Sequence, residues 1–175
     1  MQDVTPSLLK ARLSGDDVLA EVPAYDLIEL FFFAYRDFVG HPDRILDEFG
    51  FGRAHHRVLH FVDRQPGLTI AELLDILRIT KQSLNRVLKE LIEKEFIESR
   101  TGTSDRRQRL LHTTPRGHDL AVKLAKVQTR RVMRALAALP DGAKESASSF
   151  LTAMIDADDR AHVERLVYGA EVTRR

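Results

Sequence analysis

The sequence predicts a mainly α-helical fold with a small β wing, a winged helix-turn-helix framed by N- and C-terminal dimerisation helices. Three observations predict it. Residues 53–95 read as three successive helices, of which the middle one is short. Residues 96–113 read as two short strands around an arginine-rich turn, and long helical stretches stand on both sides. The order helix, helix, turn, helix, strand, loop, strand is typical of a winged helix.

The chain divides into four parts on this interpretation. Residues 1–23 form a loosely held N-terminal segment with a short helix at 6–13, and residues 24–50 form the N-terminal part of the dimerisation region. Residues 51–115 form the winged helix-turn-helix DNA-binding domain, and residues 116–175 form the C-terminal dimerisation helices. A chain of 175 residues suits one compact domain or two small lobes that share a core.

The first long helix is predicted at residues 25–39, YDLIELFFFAYRDFV, which is apolar around most of its circumference. A helix with so few polar side chains must be buried by other elements or by another subunit. The sequence GHPDR at residues 40–44 is expected to end this helix, and a short helix at 45–48 is expected to follow.

Breakers and caps define the first two helices of the helix-turn-helix. The helix at residues 53–65 is stopped by the Pro-Gly pair at 66–67. Thr69 is placed to cap the helix at residues 70–77, because its side-chain oxygen can accept a hydrogen bond from a backbone amide of the first turn. The Glu72 side chain can in turn accept from the Thr69 backbone amide.

The helix at residues 81–95 carries the chemistry of the chain. Its apolar side chains recur at intervals of three and four and form one stripe, made of Leu84, Val87, Leu88 and Leu91. The side chains predicted to contact DNA, of the types that read the major groove, are Thr80, Lys81, Gln82, Ser83, Asn85, Arg86 and Lys89. They lie in the part of a recognition helix that meets the bases. The alternative, an ordinary solvated helix face, is disfavoured by the preceding short helix and the following wing.

Two strands are predicted at residues 96–100 and 108–113. A ribbon tipped with Arg106 and Arg107 can lie along the duplex and insert guanidinium into the narrow minor groove, while Asp105 fixes the turn. The alternative is a charged hairpin that contacts only water. The wing residues predicted to contact DNA are Ser104, Asp105, Arg106, Arg107 and Arg109. Two long helices then follow, at residues 117–139 and at residues 144–168.

Charge is distributed unevenly along the chain. Residues 78–116 carry ten Lys and Arg against five Asp and Glu, although the formal net charge of the whole chain is only +1. A basic central segment between acidic flanks is typical of a protein whose central segment binds phosphate groups and whose flanking segments bind protein.

Several classes of protein are disfavoured by what the sequence lacks. It has no run of eighteen apolar residues and no secretory signal, which predicts a cytoplasmic protein without a membrane partner. It has no cysteine, which excludes disulfides and thiolate chemistry. It also has no phosphate-binding loop, dinucleotide-binding turn, nucleophile elbow or zinc-protease motif, so we expect neither an enzyme nor a cofactor.

Residues 51–120 resemble the core of the MarR family of bacterial transcriptional regulators. The resemblance rests on HHRVLHFV at 55–62, PGLTIAELLDILRITKQSLNRVLKELIEKEFIESR at 66–100, S-D-R-R at 104–107 and T-T-P-R-G at 113–117. The flanking helices fit the family layout over about residues 24–168. Within the family, the run GRAHHRVLHFV is most similar to the PetP-like and LdtR-like branch.

The resemblance implies a homodimer whose N- and C-terminal helices interlock, with each wing and recognition helix serving one half of a palindromic operator in double-stranded DNA. It also implies a repressor released by small molecules, often aromatic or phenolic acids, bound between the dimer helices and the DNA-binding lobe. Two positions depart from the family pattern, because Arg78 and Glu95 stand where glycine is usual. The turn geometry is therefore in question there, and Arg78 becomes a candidate for a phosphate contact.

A ligand pocket is predicted beside the phenylalanine-rich first helix. A few polar anchors among aromatic side chains suit a small aromatic or anionic effector, although such a stripe is also typical of a core or a dimer interface. The residues predicted to bind the effector are Phe32, Tyr35, Arg36, His56 and His60.

The histidines raise a zinc alternative, because His56 and His60 stand one helical turn apart beside His55. Zinc needs three or four ligands, which His41 or a carboxylate such as Asp43 would have to complete. We predict no metal and expect these rings to line the ligand cleft or the interface. A zinc-sensing regulator and a winged-helix protein-interaction or architectural module are the alternatives to a ligand-responsive, DNA-binding regulator.

Overall fold

The computed structural model describes residues 23–102 and 108–172, and the side chains of these residues as far as 169. In chain order the elements are α1 (Tyr25–Asp47), α2 (Arg53–Arg64), β1 (Leu68–Thr69), α3 (Ile70–Leu77), α4 (Lys81–Glu93), β2 (Ile97–Thr101), β3 (Arg109–Thr113), α5 (Pro115–Ala137), α6 (Ala143–Ala153) and α7 (Ala157–Val172). The chain falls into two compact units that divide within α1, between Asp37 and Phe38. The helix predicted at residues 6–13 lies outside the described residues.

The N-terminal half of α1 belongs to the first unit and exposes most of its apolar side chains. Phe32 is 70% exposed and Tyr35 is 54% exposed. Within this unit the Arg36 guanidinium pairs with Asp37 at 2.9 Å and lies 4.9 Å from the ring centre of Phe33. The burial predicted for this helix is therefore not supplied to its N-terminal half by the described residues, and burial by another subunit stays a prediction.

The prediction that residues 40–44 end the first helix is wrong, because α1 continues through Pro42 as far as Asp47. A proline inside a helix removes one backbone hydrogen bond and crowds the preceding turn. Ile45 and Leu46 are buried in the core of the second unit, and this burial outweighs the cost of the proline. The short helix predicted at residues 45–48 is the last turn of α1.

The core of the second unit is apolar, since no polar or charged residue is buried among the described residues. The α4 stripe enters it as the spacing predicts, with all four of its members buried: Leu84, Val87, Leu88 and Leu91. The antiparallel sheet has the order β1-β3-β2, and Leu111 at its centre pairs with both Leu68 and Ser99. The two-residue strand β1 was not predicted, because it is too short to show an alternating pattern.

The start of α5 explains the sequence T-T-P-R-G. Thr114 caps the helix, accepting a bond from the Gly117 amide at 3.0 Å, and its hydroxyl donates to the Glu95 carbonyl at 2.6 Å. A Cβ atom at Gly117 would lie 1.9 Å from the Phe96 carbonyl oxygen, so only glycine fits there. Arg116 stacks on Phe96 at 4.3 Å from the ring centre. The motif thus joins α5 closely to the turn between α4 and β2.

The prediction of one helix over residues 144–168 is also wrong, because α6 ends at Ala153 and α7 begins at Ala157. The Arg160 side chain donates to the carbonyls of Thr152, Ala153 and Ile155 at 3.0–3.2 Å and satisfies the end of α6. Asp158 and Asp159 lie in the first turn of α7, where carboxylates interact favourably with the helix dipole. Of the helices in residues 23–102 and 108–172, none has the length and apolar character needed to cross a membrane.

Candidate functional site

The outward face of α4 is exposed over its first two turns. The N-terminus is capped by Thr80, whose hydroxyl accepts from the Ser83 amide at 3.2 Å and donates to the Ser83 hydroxyl at 2.9 Å. Two of the predicted DNA-contacting residues therefore also hold the helix start. All seven predicted residues around this helix are exposed, namely Thr80, Lys81, Gln82, Ser83, Asn85, Arg86 and Lys89.

Four side chains on this face are uncommitted. Within the described part of the chain, Lys81, Gln82, Asn85 and Arg86 form no hydrogen bond or ion pair. Lys89 is held only by a long, exposed ion pair to Glu93 at 3.7 Å, which is a weak interaction in water. Two amides and three cations are thus available to an external hydrogen-bonding partner, which is the chemistry that base edges and phosphates require.

The C-terminal half of α4 is positioned by α2 through a histidine. His55 Nδ1 accepts from the Gly52 amide at 3.1 Å, which leaves the hydrogen on Nε2 to be donated to Glu90 at 3.0 Å. The ring also stacks on Phe51 with 4.7 Å between centroids. Both ring nitrogens have hydrogen-bond partners, so His55 joins α2 to α4 and neither nitrogen is free to bind a metal.

Two turns, one after α3 and one after α4, have the left-handed backbone that usually requires glycine, although neither has a glycine at that position. Arg78 at the end of α3 has φ 49°, and Glu95 after α4 has φ 61°, both in the left-handed region. The turn after α3 is tied down from α2, where Arg57 donates to the Leu77 carbonyl at 2.9 Å. Arg78 forms an ion pair with Asp159 of α7 at 2.5 Å. The expectation of a phosphate contact is therefore not supported, because this guanidinium faces a carboxylate of the chain.

A second pair joins the same two helices one turn away. His162 Nε2 of α7 lies 3.6 Å from Asp75 Oδ2 of α3, too far for a hydrogen bond, and this buried nitrogen has no hydrogen-bond partner among the described residues. Beside it opens a cleft of about 440 Å³, which we call the α2–α3–α7 cleft. It is lined by His60, Phe61, Arg64, Gln65, Asp75, Ile76, Arg78, Asp159, His162, Val163, Leu166 and Val167.

The predicted effector residues divide between the two units. Phe32, Tyr35 and Arg36 lie in the first unit, whereas His56 and His60 lie in the second. His60 lines the α2–α3–α7 cleft, but His56 is not among its lining residues. Cleft residues such as Arg64 and the α7 side chains were missed, because only the tertiary fold brings α7 to α2 and α3.

Burial lowers the pKa of two of the α2 histidines, His56 and His60. Desolvation lowers the pKa of His60, and the neighbouring Arg64 lowers it further against the opposing Asp63. Desolvation and His60 likewise lower the pKa of His56, against the opposing Asp43. No three His, Asp or Glu side chains in the described residues are placed to share a metal ion. Both shifts favour the neutral form of the two rings.

The strands of the wing hold their arginines through side-chain contacts. Arg109 donates to the Thr101 hydroxyl at 3.1 Å across the ribbon, and Arg100 pairs with Glu98 at 2.5 Å. The tip residues predicted to contact DNA lie outside the described residues: Ser104, Asp105, Arg106 and Arg107. The ribbon that carries the tip is thus described, whereas the DNA contact of the tip stays a prediction.

Comparison with known proteins identifies relatives of this chain. A family model described as the MarR family matches residues 49–108. The HTH-type transcriptional regulator PetP of Rhodobacter capsulatus is 47% identical over 139 residues, which cover 79% of this chain and 84% of that protein. The predicted similarity to the PetP-like branch is confirmed by this relative.

Solved structures share the fold at lower identity. A crystal structure of a MarR family transcription regulator superimposes with a TM-score of 0.64 at 18% identity, covering 74% of this chain and 86% of that one. The S. aureus MepR–DNA complex gives a TM-score of 0.58 at 20% identity, covering 73% of this chain and 94% of that one. At these identities the likeness shows the fold alone, and it confirms the predicted winged, mainly α-helical class.

Proposed function

Since the chain belongs to the MarR family of helix-turn-helix transcriptional regulators, we propose that it is a ligand-responsive repressor that binds a palindromic operator in double-stranded DNA as a homodimer. The observation that carries the proposal is the exposed, uncommitted polar face of α4, positioned by the caps and contacts at both of its ends. The related MepR is a protein whose complex with DNA is known.

The two parts of the DNA surface have different roles in this proposal. Gln82, Asn85 and Arg86 read base edges in the major groove, because amides and guanidinium match adenine and guanine. Arg106 and Arg107 at the wing tip contact the minor groove and the phosphates, which adds affinity with little regard to base sequence.

Homodimer formation is supported by the apolar surface of the C-terminal helices. In the second unit, the exposed large apolar side chains beyond the middle of α5 are Val132, Met133, Leu139, Phe150, Leu151, Met154, Val167 and Tyr168. Apolar side chains exposed in this number are typical of an interaction surface. We assign them to a second copy of the chain, which would also set the spacing of two recognition helices on the two half-sites.

The α2–α3–α7 cleft is the place where we propose that an effector binds. Its volume of about 440 Å³ is within the range of small-molecule sites. Arg64 is half-buried in its lining and forms no hydrogen bond or ion pair with any described residue. An aromatic carboxylate that pairs with Arg64 also competes with Asp159 for Arg78. Because Arg78 stands two residues before the Thr80 cap, this competition would move the recognition helix.

The proposed DNA binding is tested by fluorescence anisotropy on DNA from upstream of the gene and on a scrambled duplex, each at several salt concentrations. A preference of about a thousandfold or more for the native sequence is expected of a specific regulator. Equal and steeply salt-dependent affinity for both duplexes would contradict operator recognition at that site and favour an architectural, phosphate-binding module.

The division between reading and anchoring is tested by two variants. Asn85→Ala should cost about 1–3 kcal/mol on the preferred duplex and much less on the scrambled one. Arg107→Ala should weaken binding to both duplexes and reduce the salt slope by about one. Lys126→Ala on α5 is the control and should change neither affinity. A wing variant with unchanged affinity and salt slope would remove the wing from the interface.

The effector site is tested with benzoate as the probe. Benzoate should weaken operator binding at least tenfold in the wild type, because its carboxylate pairs with Arg64 while its ring packs on the apolar wall. Arg64→Gln should lose this response but keep full operator affinity without benzoate. An unchanged response in Arg64→Gln would exclude the cleft as the benzoate site, and a zinc response lost in His56→Ala would favour the metal alternative.

A further inference from the structure

A separate cleft lies between the second half of α1 and the C-terminal part of α5, and we call it the α1–α5 cleft. It has a volume of about 270 Å³ and belongs wholly to the second unit. Its lining residues are Phe38, His41, Val127, Arg130, Arg131, Arg134 and Ala135. It shares no residue with the α2–α3–α7 cleft or with the α4 face.

The α1–α5 cleft holds three permanent positive charges and no negative one. Arg130, Arg131 and Arg134 line it, and none of its lining residues is Asp or Glu. None of the three guanidinium groups forms a hydrogen bond or an ion pair with a residue that the structure describes. Like charges within one helical turn repel each other, so this arrangement favours an anionic partner.

Helical spacing directs the three arginines to one face. Positions 127, 130, 131 and 134 recur at three and four residues, which places them on the same side of α5 as the buried Val127. Phe38 and Ala135 add apolar surface, and His41 adds a ring that can donate or accept a hydrogen bond. The cleft thus combines cations with an apolar wall that suits a carbon skeleton.

The position of the cleft distinguishes it from the DNA surface. Arg130 is fifteen residues after Pro115, the residue at which α5 leaves the sheet, and at the rise of an α-helix this separates them by about 22 Å. DNA phosphates contacted by the wing are therefore not the natural occupants of these arginines.

We propose that the α1–α5 cleft is a binding site for a compact organic anion that carries two or more negative charges. Arginine forks bind carboxylate and phosphoryl oxygens in pairs, and three of them neutralise a multivalent anion better than a monovalent one. The volume is just below that of typical drug-sized sites, which limits the ligand to a short carbon skeleton. The proposal extends the proposed function, because it adds a second ligand site remote from the effector cleft.

Calorimetric titration of the full chain at constant ionic strength tests this site. Citrate is the probe, and acetate is the monovalent reference. We expect one citrate site per chain, with affinity at least tenfold higher than that for acetate. Arg131→Gln and Arg134→Gln should each weaken citrate binding at least tenfold, whereas Lys126→Gln, which removes a cation of α5 outside the cleft, should leave it unchanged.

A second arm uses inorganic pyrophosphate to distinguish the source of the charge. Tighter binding of citrate supports a polycarboxylate ligand, and tighter binding of pyrophosphate supports a phosphoryl group on the ligand. No citrate or pyrophosphate binding at millimolar concentration would overturn the proposal, as would equal weakening by Lys126→Gln. Dissociation of a dimer by Arg131→Gln without any anion binding would also overturn it, because the arginines would then serve acids of a second copy. None of these outcomes depends on operator binding, which is measured separately.

Discussion

The helix-turn-helix lobe and the C-terminal helices bury their apolar residues in opposite ways. In the lobe, Leu84, Phe96 and Leu111 are each at most 1% exposed. In the later helices, Leu151 is 54% exposed and Tyr168 is 53% exposed, and α6 contributes no buried residue. The lobe forms a closed core within one chain together with the end of α1 and the first half of α5, whereas the rest of α5, α6 and α7 expose large apolar side chains. This difference supports the proposal that the later helices pair two subunits, whereas the DNA-reading role proposed for the lobe rests on the exposed polar face of α4.

The largest effect is expected from truncating the lobe core. Leu84→Ala removes a fully buried side chain of α4 and should lower the free energy of unfolding by about 2–5 kcal/mol. Leu151→Ala on α6 should change the unfolding of the isolated subunit by less than about 1 kcal/mol but should weaken subunit association. Urea unfolding and sedimentation of both variants make the comparison. Similar losses of stability at the two positions would show that the regions are buried alike.

The junction between the lobe and α5 should be nearly as sensitive. Gly117→Ala forces a Cβ atom against the Phe96 carbonyl and should cost about 3 kcal/mol or more, because backbone cannot move aside easily. Gly40→Ala is the matched control inside α1, where a Cβ atom meets nothing within 4 Å, and it should stabilise by about 0.5–1 kcal/mol. Thermal unfolding of the two variants should therefore shift in opposite directions.

Removing the backbone strain at the turn after α4 should raise the free energy of unfolding, by less than the core and junction variants lower it. Glu95 holds a left-handed backbone that glycine adopts without cost, so Glu95→Gly should stabilise the protein by about 1 kcal/mol. Glu93→Gly, two residues earlier at the last residue of α4, should destabilise by at most about 1 kcal/mol. Loss of stability in both variants, measured by urea unfolding, would contradict the strain at Glu95.

The smallest expected effect is on the pH dependence of stability. Burial lowers the pKa of His56 and of His60 in the folded protein, so the unfolded chain binds more protons below its own pKa of about 6.5. The free energy of unfolding should therefore be nearly constant above that pH and fall as the pH drops toward the lowered values. His56→Gln with His60→Gln should flatten this fall between pH 7.5 and 5.5 in urea unfolding. An equally steep fall in the double variant would assign it to other groups.

The sequence predicts the local features of the lobe well. The apolar stripe of α4 and the cap at Thr69 depend on residues within one or two turns, and both are confirmed by the structure. The Glu72 side chain accepts from the Thr69 amide and hydroxyl at 2.8 and 2.7 Å, and these bonds lower its pKa. The family is confirmed by the comparison with known proteins. It could be recognised from the sequence because most of the residues that carry the resemblance lie in this local part.

Features that depend on distant residues were missed. The continuation of α1 through Pro42 depends on core partners supplied by later helices. The partner of His55 is Glu90, thirty-five positions away, so its positioning role was not visible in the sequence. Arg78 contacts Asp159, which lies eighty-one positions away. Because the sequence does not reveal this carboxylate, it leaves Arg78 as a candidate for a phosphate contact.

The most direct test of the division between the lobe and the later helices is the mass of the wild-type protein in solution by sedimentation equilibrium. We predict a mass of two 175-residue chains at micromolar concentration, shifted toward a single folded chain by Leu151→Glu. A wild-type mass of one chain, at every concentration from micromolar to 100-fold higher, would contradict this division.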